Sequence, residues 1–284
     1  MHHPARTPLA GLLLLASAAL APLPASAAES YDNCTGFVDA LPAVISTQGT
    51  WCLRHDLSTA IASGAAITIN ANNVTLDCNH FKVGGLAAGN GSDALGLYAH
   101  TRSNITVRNC SVRGFAEGLY LFGSGHVVEH NRFDNNLFRA IGVFGDGNRI
   151  VDNLVVDTGG REGFANAVGI EASASIIDNT VDGVFGVGAN TYPTGISLYS
   201  GSGHLVRGNQ ISDLLAAGAG VARGIFNEGA GGVAIDRNHI TRVGFGGIGI
   251  DNDGGAVFCT GNTIHNFSTP TQDCTSVSGN LSLP

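Results

Sequence analysis

The sequence predicts an all-β chain wound as a parallel β-helix, a solenoid of about eight rungs with an Asn ladder and short end caps. Three observations lead there. A short Asn-centred phrase recurs at a period in the twenties, each copy is followed by a strand-like alternation, and no helix-length pattern intervenes. The phrase is an aliphatic residue, two variable residues, Asn, one variable residue and another apolar residue. It runs from Leu76 to Phe81 around Asn79 and recurs around Asn131, Asn153, Asn179, Asn209, Asn238 and Asn262. Val107 to Val112 fits if Cys110 stands in for Asn.

The second half of each repeat is a small residue followed by alternating apolar positions, as in Gly118-Leu119-Tyr120-Leu121-Phe122, Gly195-Ile196-Ser197-Leu198-Tyr199 and Gly224-Ile225-Phe226-Asn227. Period-two alternation over so few residues marks a strand with one buried face. Glycine-rich turns such as Gly123-Ser124-Gly125 and Gly201-Ser202-Gly203 lead to the next Asn phrase. A rung is therefore strand, bend, strand, turn. Inside the array no stretch carries the ten or more residues of 3.6-period pattern that a crossover helix needs, which excludes an ordinary βαβ sheet. At the bend an Asn amide can bond the local backbone, and stacked on its equivalent one rung away it can extend a ladder of amide hydrogen bonds.

Along the chain, residues 1–27 read as a signal peptide. They have a weakly basic start, an apolar core from Leu9 to Ala21 and the cleavage triplet Ala25-Ser26-Ala27, with cutting expected after Ala27. Residues 28–66 read as an N-terminal cap, 67–267 as the solenoid and 268–284 as a C-terminal tail or cap. No later run is apolar for long enough to span a bilayer as a helix, so a secreted or periplasmic location is expected. Six cysteines in an exported chain suggest an oxidised framework, and they fall into three sequence-local pairs: Cys34 with Cys52, Cys78 with Cys110, Cys259 with Cys274. The end pairs suit a solenoid that must cap exposed core. In the middle pair, Cys78 is one residue away from Asn79, the expected in-register neighbour of Cys110.

The formal charge of −8 and a scatter of Arg with a single lysine, Lys82, argue against nucleic acid, which requires a basic stripe. The segment His126-Val127-Val128-Glu129-His130 matches an inverted zinc-peptidase pattern. That chemistry needs a helix. On a strand, residues four apart lie about 13 Å from each other, too far to share one ion, so polar strand positions facing water are the expectation.

The Asn phrases, with Asn73-Val74-Thr75-Leu76-Asp77-Cys78-Asn79 and Asn104-Ile105-Thr106-Val107-Arg108-Asn109-Cys110, resemble the right-handed parallel β-helix repeat family of the pectate-lyase-like superfamily. The resemblance covers roughly 67–267. It implies a right-handed coil and an exported protein. It points to function only broadly, because the family includes lyases, hydrolases, epimerases, tailspikes and adhesins. The Asp-Pro-His-Glu signature of the mannuronan epimerases and the paired Asp set of the polygalacturonases do not occur in this sequence.

Rung length points to a site. Three consecutive rungs are longer by several residues, over 157–167, 182–194 and 213–223. Because the additions occupy the same place in successive rungs, they must stack on one side, where repeat proteins often build a binding face. The adjoining outward column should carry Tyr120, Phe122, Phe144, Ser197, Tyr199, Phe226, Glu228 and Asp251. Glu228 and Asp251 are expected at equivalent positions of adjacent rungs, where one pKa should rise. The candidate catalytic residues are Glu228, Asp251 and Arg223. Tyr199, Phe226, Tyr192, Arg161 and Glu171 are the candidates for substrate contact. The expected partner is a polysaccharide, with sugar rings on aromatic faces and Arg on carboxylate or hydroxyl groups. No cofactor is expected, and Ca²⁺ is the one ion the carboxylates could hold. Three function classes fit the face: a polysaccharide lyase or glycoside hydrolase, with Arg223 or Tyr192 as the base in a lyase; a non-catalytic carbohydrate-binding module; and an adhesive or structural solenoid.

Overall fold

The computed structural model describes residues 31–283, so the leader read over 1–27 lies outside the described residues. The described chain is a right-handed parallel β-helix. Each coil contributes strands to three faces. The first face includes Leu95–Ser103, Glu117–Ser124, Arg139–Val151, Asn166–Ile177, Tyr192–Leu198, Arg223–Asn227 and Ile248–Asn252. The second includes Ile105–Arg108, Val127–Glu129, Leu205–Arg207 and Val233–Asp236. The third stacks ten strands in chain order, from Leu57–Ser58 to Leu281–Leu283, which makes about nine turns rather than eight. Parallel pairing already begins at Gly36–Phe37 against Trp51 and Cys52, and it reaches Leu283 against His265. All three cysteine pairs are disulfides. Among the described residues no helix is long and apolar enough to cross a membrane.

The alternation in the sequence becomes a continuous interior. Leu97, Leu119, Ile141, Ile170, Ile196, Ile225 and Ile250 stack in register, and every one is fully buried or nearly so. The small residue that opens each first-face strand has a steric cause. A Cβ on Gly195 would lie 2.7 Å from the carbonyl oxygen of Gly224 in the next rung. At Gly224 it would lie 2.4 Å from that of Gly249, so the backbones approach too closely for a side chain.

The Asn column sits at the bend between the second and third faces. Asn131 Nδ2 donates to Asn153 Oδ1 at 3.0 Å, Asn153 to Asn179 at 2.9 Å, and Asn179 to Asn209 at 3.1 Å. Asn209, Asn238, Asn262 and Asn280 continue the chain of contacts at 2.9–3.1 Å. Each oxygen also accepts the backbone N–H of the ladder residue before it, as Asn179 Oδ1 does from Asn153 N at 2.9 Å. Each Nδ2 donates to a main-chain carbonyl one rung back, as Asn179 does to Ile150 O at 3.0 Å. The residue preceding the Asn is left-handed, with φ of 55° at His130, 53° at Asp152 and 55° at Asp178.

One expected rung is out of register. Ser111 pairs with Lys82, which puts Phe81, not Asn79, opposite Cys110. The bend between Asp77 and Lys82 is longer than that between Arg108 and Ser111, where the strands again align. The surplus places Asn79 in a left-handed turn, where its amide bonds Leu53 O instead of the ladder. The ladder therefore begins at Asn131 and extends past Asn262 to Asn280. This register also explains the middle disulfide. Asp77 pairs with Arg108, so Cys78 lies level with Asn109 and beside Cys110.

His126 does not face water, as expected of a polar strand position, but points into the coil. Its ring is fully buried, its Nδ1 accepts the Ile105 N–H at 3.3 Å, and His130 sits in a left-handed bend. Among the described residues no group of three or more His, Cys, Asp or Glu is placed to hold a metal.

Two outcomes follow. Asn179→Ala strips acceptors from Asn153 N and Nδ2 and a donor from Ile150 O, all buried, and should cost on the order of 3 kcal/mol in urea unfolding. Asn280→Ala, at the half-exposed end of the column, should cost clearly less. Burial lowers the His126 pKa to about 4, so the folded state keeps the ring neutral while the unfolded state protonates it from about pH 6.5 downward. His126 should therefore withdraw up to about 3 kcal/mol of stability as pH falls from about 6.5 towards about 4. Comparing urea midpoints across that window, His126→Gln should show a shallower acid loss than the parent.

Candidate active site

The three long rungs stack as expected. Their added residues, 160–165, 186–191 and 216–222, lie between the third and first faces. Val187 N donates to Phe164 O at 3.1 Å, Thr191 N to Ala217 O at 3.1 Å, and Ala219 N to Asn190 Oδ1 at 2.8 Å. Tyr192 N then donates to Ala165 O at 3.0 Å, where the loops rejoin the first face.

Beside them, on the first face, lies a cleft of about 460 Å³. Three outward columns furnish it. Arg139, Val168, Thr194 and Arg223 form one. Glu171, Ser197 and Phe226 form the next. Glu228, which follows Asn227 in the register beyond Leu198, belongs to the third. Tyr192, Asn166 and Phe138 close the loop side. Five of the eight candidate residues thus meet in one cleft: Glu171, Tyr192, Arg223, Phe226 and Glu228.

The other three are placed differently. Arg161 is paired with Asp93 and stacked 3.9 Å above the Phe164 ring, so it braces the loop. Tyr199 is half exposed, and its ring meets Phe144 edge-on at 5.6 Å. It ends a run of stacked rings through Tyr98, Tyr120 and Phe144 and is not among the residues that line the cleft. Asp251 is covered, and it accepts from Arg223 Nε at 2.7 Å. It pairs in register with Phe226, so Glu228 and Asp251 are not at equivalent positions of adjacent rungs. The error is two residues of alternation: Glu228 stands one column further along the strand. Ser197 points outward but is almost covered, and Phe144 is likewise shielded by its neighbours.

The carboxyl with a raised pKa is Glu171. Burial pushes it up, Arg139 pulls it down, and the charges of Glu228 and Glu117 push it up further. Arg139 explains the restraint. Its guanidinium donates to Glu117 at 2.8 Å on one side and is paired with Glu171 on the other. Sequence reasoning missed Arg139 and Glu117, although both occupy the residue before the small strand-opening position in adjacent rungs. Arg223 lies over the Phe226 ring at 4.7 Å, so one face of that ring is already covered.

A larger hollow of about 670 Å³ runs along the ladder bend, lined by His80, His130, Asp152 and Asp178. Its floor is Asn131 and Asn153, whose hydrogen bonds are already filled within the ladder.

Residues 55–193 match the family described as "Right handed beta helix region". Among solved structures the chain resembles the Dettilon tailspike protein, with 14% identity and a TM-score of 0.51, over 87% of this chain and 60% of that one. It also resembles the catalytic domain of a GH87 alpha-1,3-glucanase solved with nigerose, with 13% identity and a TM-score of 0.52, over 88% of this chain and 60% of that one. The chain thus spans about 60% of the length of either. At these identities the likeness is one of fold. No curated protein matches the chain.

The charge arrangement around Glu171 can be tested directly by following its carboxyl carbon in an NMR pH titration. Glu228→Gln removes a repelling charge and should lower the Glu171 pKa, whereas Arg139→Gln removes the attracting one and should raise it.

Proposed function

We propose that this right-handed parallel β-helix binds an extracellular polysaccharide along the first-face cleft and cleaves it, with Glu171 as general acid and Glu228 as the carboxylate that activates water or attacks the sugar. The observation that carries the proposal is a partly buried carboxyl whose pKa is raised by burial and by the charge of an exposed carboxylate, within an open cleft flanked by aromatic rings. Two carboxyl groups in different environments, one able to hold its proton and one ionised, are the apparatus of glycoside hydrolysis. Tyr192 and Phe226 offer ring surface, while Asn166, Thr194 and Ser197 offer hydroxyl-matching donors and acceptors. A protein of like fold, the catalytic domain of a GH87 alpha-1,3-glucanase solved with nigerose, is in keeping with a carbohydrate ligand. The three disulfides fit maturation in an oxidising compartment outside the cytoplasm.

Arg223, read from the sequence as a possible lyase base, is bound to Asp251 and covers Phe226, and in this proposal it serves as a structural wall. A non-catalytic binding module is the second reading. It is favoured by the pairing of Arg139 with Glu171, which pulls the carboxyl towards ionisation against the effect of burial.

The test is a polysaccharide panel scored for both retention and product release. Catalysis requires that Glu171→Gln and Glu228→Gln each retain polymer and lose about 10² or more in turnover. Activity should fall on the alkaline side as Glu171 deprotonates, at a pH above that of an ordinary glutamate. Retention without product in the parent would establish the binding module instead. Retention and turnover unchanged in both variants and in Phe226→Ala would remove the cleft from consideration.

A further inference from the structure

The polysaccharide reading leaves the class of polymer open, and the charges of the cleft narrow it. Two cations line it, and both are engaged. Arg139 is held between Glu117 and Glu171, and Arg223 is bonded to Asp251 and laid on Phe226. Around those two cations stand four carboxylates: Glu117, Glu171, Asp251 and Glu228. Glu228 is exposed and makes no ion pair among the described residues. No histidine lines the cleft, and the single lysine, Lys82, lies against Asp56 outside it. The remaining polar groups, Asn166, Tyr192, Thr194 and Ser197, are uncharged.

A uronate polymer brings one carboxylate per sugar. In this cleft each would meet no ammonium and no guanidinium that is not already paired with a carboxylate. It would also approach Glu228 and the already destabilised charge of Glu171, a like-charge contact that selects against the ligand. Hydroxyl groups face no such penalty, because neutral amides, hydroxyls and carboxylates all bond them well. We infer that, if the cleft binds polysaccharide, its ligand is a neutral hexose polymer, and that Glu228 excludes uronate chains by repulsion. This inference rests on the cleft being the glycan site.

The test uses the full-length mature protein in affinity electrophoresis or pull-down. The neutral probes are an α-glucan, a β-glucan and a mannan, and the anionic probes are polygalacturonate and alginate, each at about 20 and about 500 mM salt, which brackets weak and strong screening. At least one neutral polymer should be retained with less than about a twofold change between the two salts, because no ion pair is made. Both uronates should be retained at least about tenfold more weakly, a difference of about 1.4 kcal/mol. Glu228→Lys should gain uronate binding at low salt and lose it at high salt. Uronate retention by the parent that is abolished by Phe226→Ala would overturn the inference while leaving the cleft as the site. Failure to retain any polymer, or neutral retention unaffected by both Phe226→Ala and Tyr192→Ala, would sink the polysaccharide reading and this inference with it.

Discussion

The buried amide ladder is the constraint on which the rest of the structure depends. A solenoid must turn its backbone at the same place in every coil, and a turn leaves peptide groups without strand partners. Asn solves both problems with one side chain. Its oxygen takes the backbone N–H and the amide of the preceding rung, and its nitrogen satisfies a carbonyl one rung back and the next oxygen ahead. A shorter or apolar residue would leave several buried groups unpaired at each level, each costing roughly 1–3 kcal/mol. The left-handed residue before each Asn then aims the third-face strand away from the second. Register is therefore fixed at this bend, and every column on the other faces inherits it.

That inheritance is what allows a site to form. With strands locked level by level, residues added to one rung cannot be absorbed by a slip, since a one-residue slip would turn core side chains outward. The additions at 160–165, 186–191 and 216–222 must protrude, and because they are consecutive they pair with one another through backbone contacts. They form a wall beside the first face. Next to that wall the outward columns stop being a closed aromatic stack. Tyr98, Tyr120 and Phe144 pack on each other, but further along the columns become Glu171, Ser197 and Phe226, and the surface opens. The cleft is the meeting of a longer loop stack with a change of side chain in a fixed column.

The fold was legible because its signals are periodic. The ladder from Asn131 to Asn262, the buried stripe and the stacked long rungs were read from spacing, and the three disulfides were inferred from the closeness of the cysteines in sequence. Errors arose where the period breaks. Nothing in Leu76 to Phe81 distinguishes its Asn from the others, yet a longer bend after Asp77 moves Asn79 out of the column. Counting along the strand also set Glu228 level with Asp251, whereas pairing sets Asp251 level with Phe226. Chemical environment was harder still to read. Glu171 was a candidate contact residue, but its burial and its grip on Arg139 depend on neighbours one and two rungs away. Arg139 and Glu117 occupy one column, so their pairing was available to an alignment of rungs, though not to a search for local motifs.

Proton affinity and ligand selection in the cleft share a single cause. An excess of carboxylates over cations, in a partly buried setting, makes one more negative charge costly. The protein meets that cost internally by favouring a proton on Glu171, against the pull of Arg139. The same excess acts on any ligand that enters, so an anionic chain meets the resistance that the Glu171 carboxylate itself meets. Arg139 sets how far this goes, because it is the one cation shared by two acids and nearly buried with them. On the proposed function, the property that would suit Glu171 to donate a proton would also suit the cleft to an uncharged sugar chain.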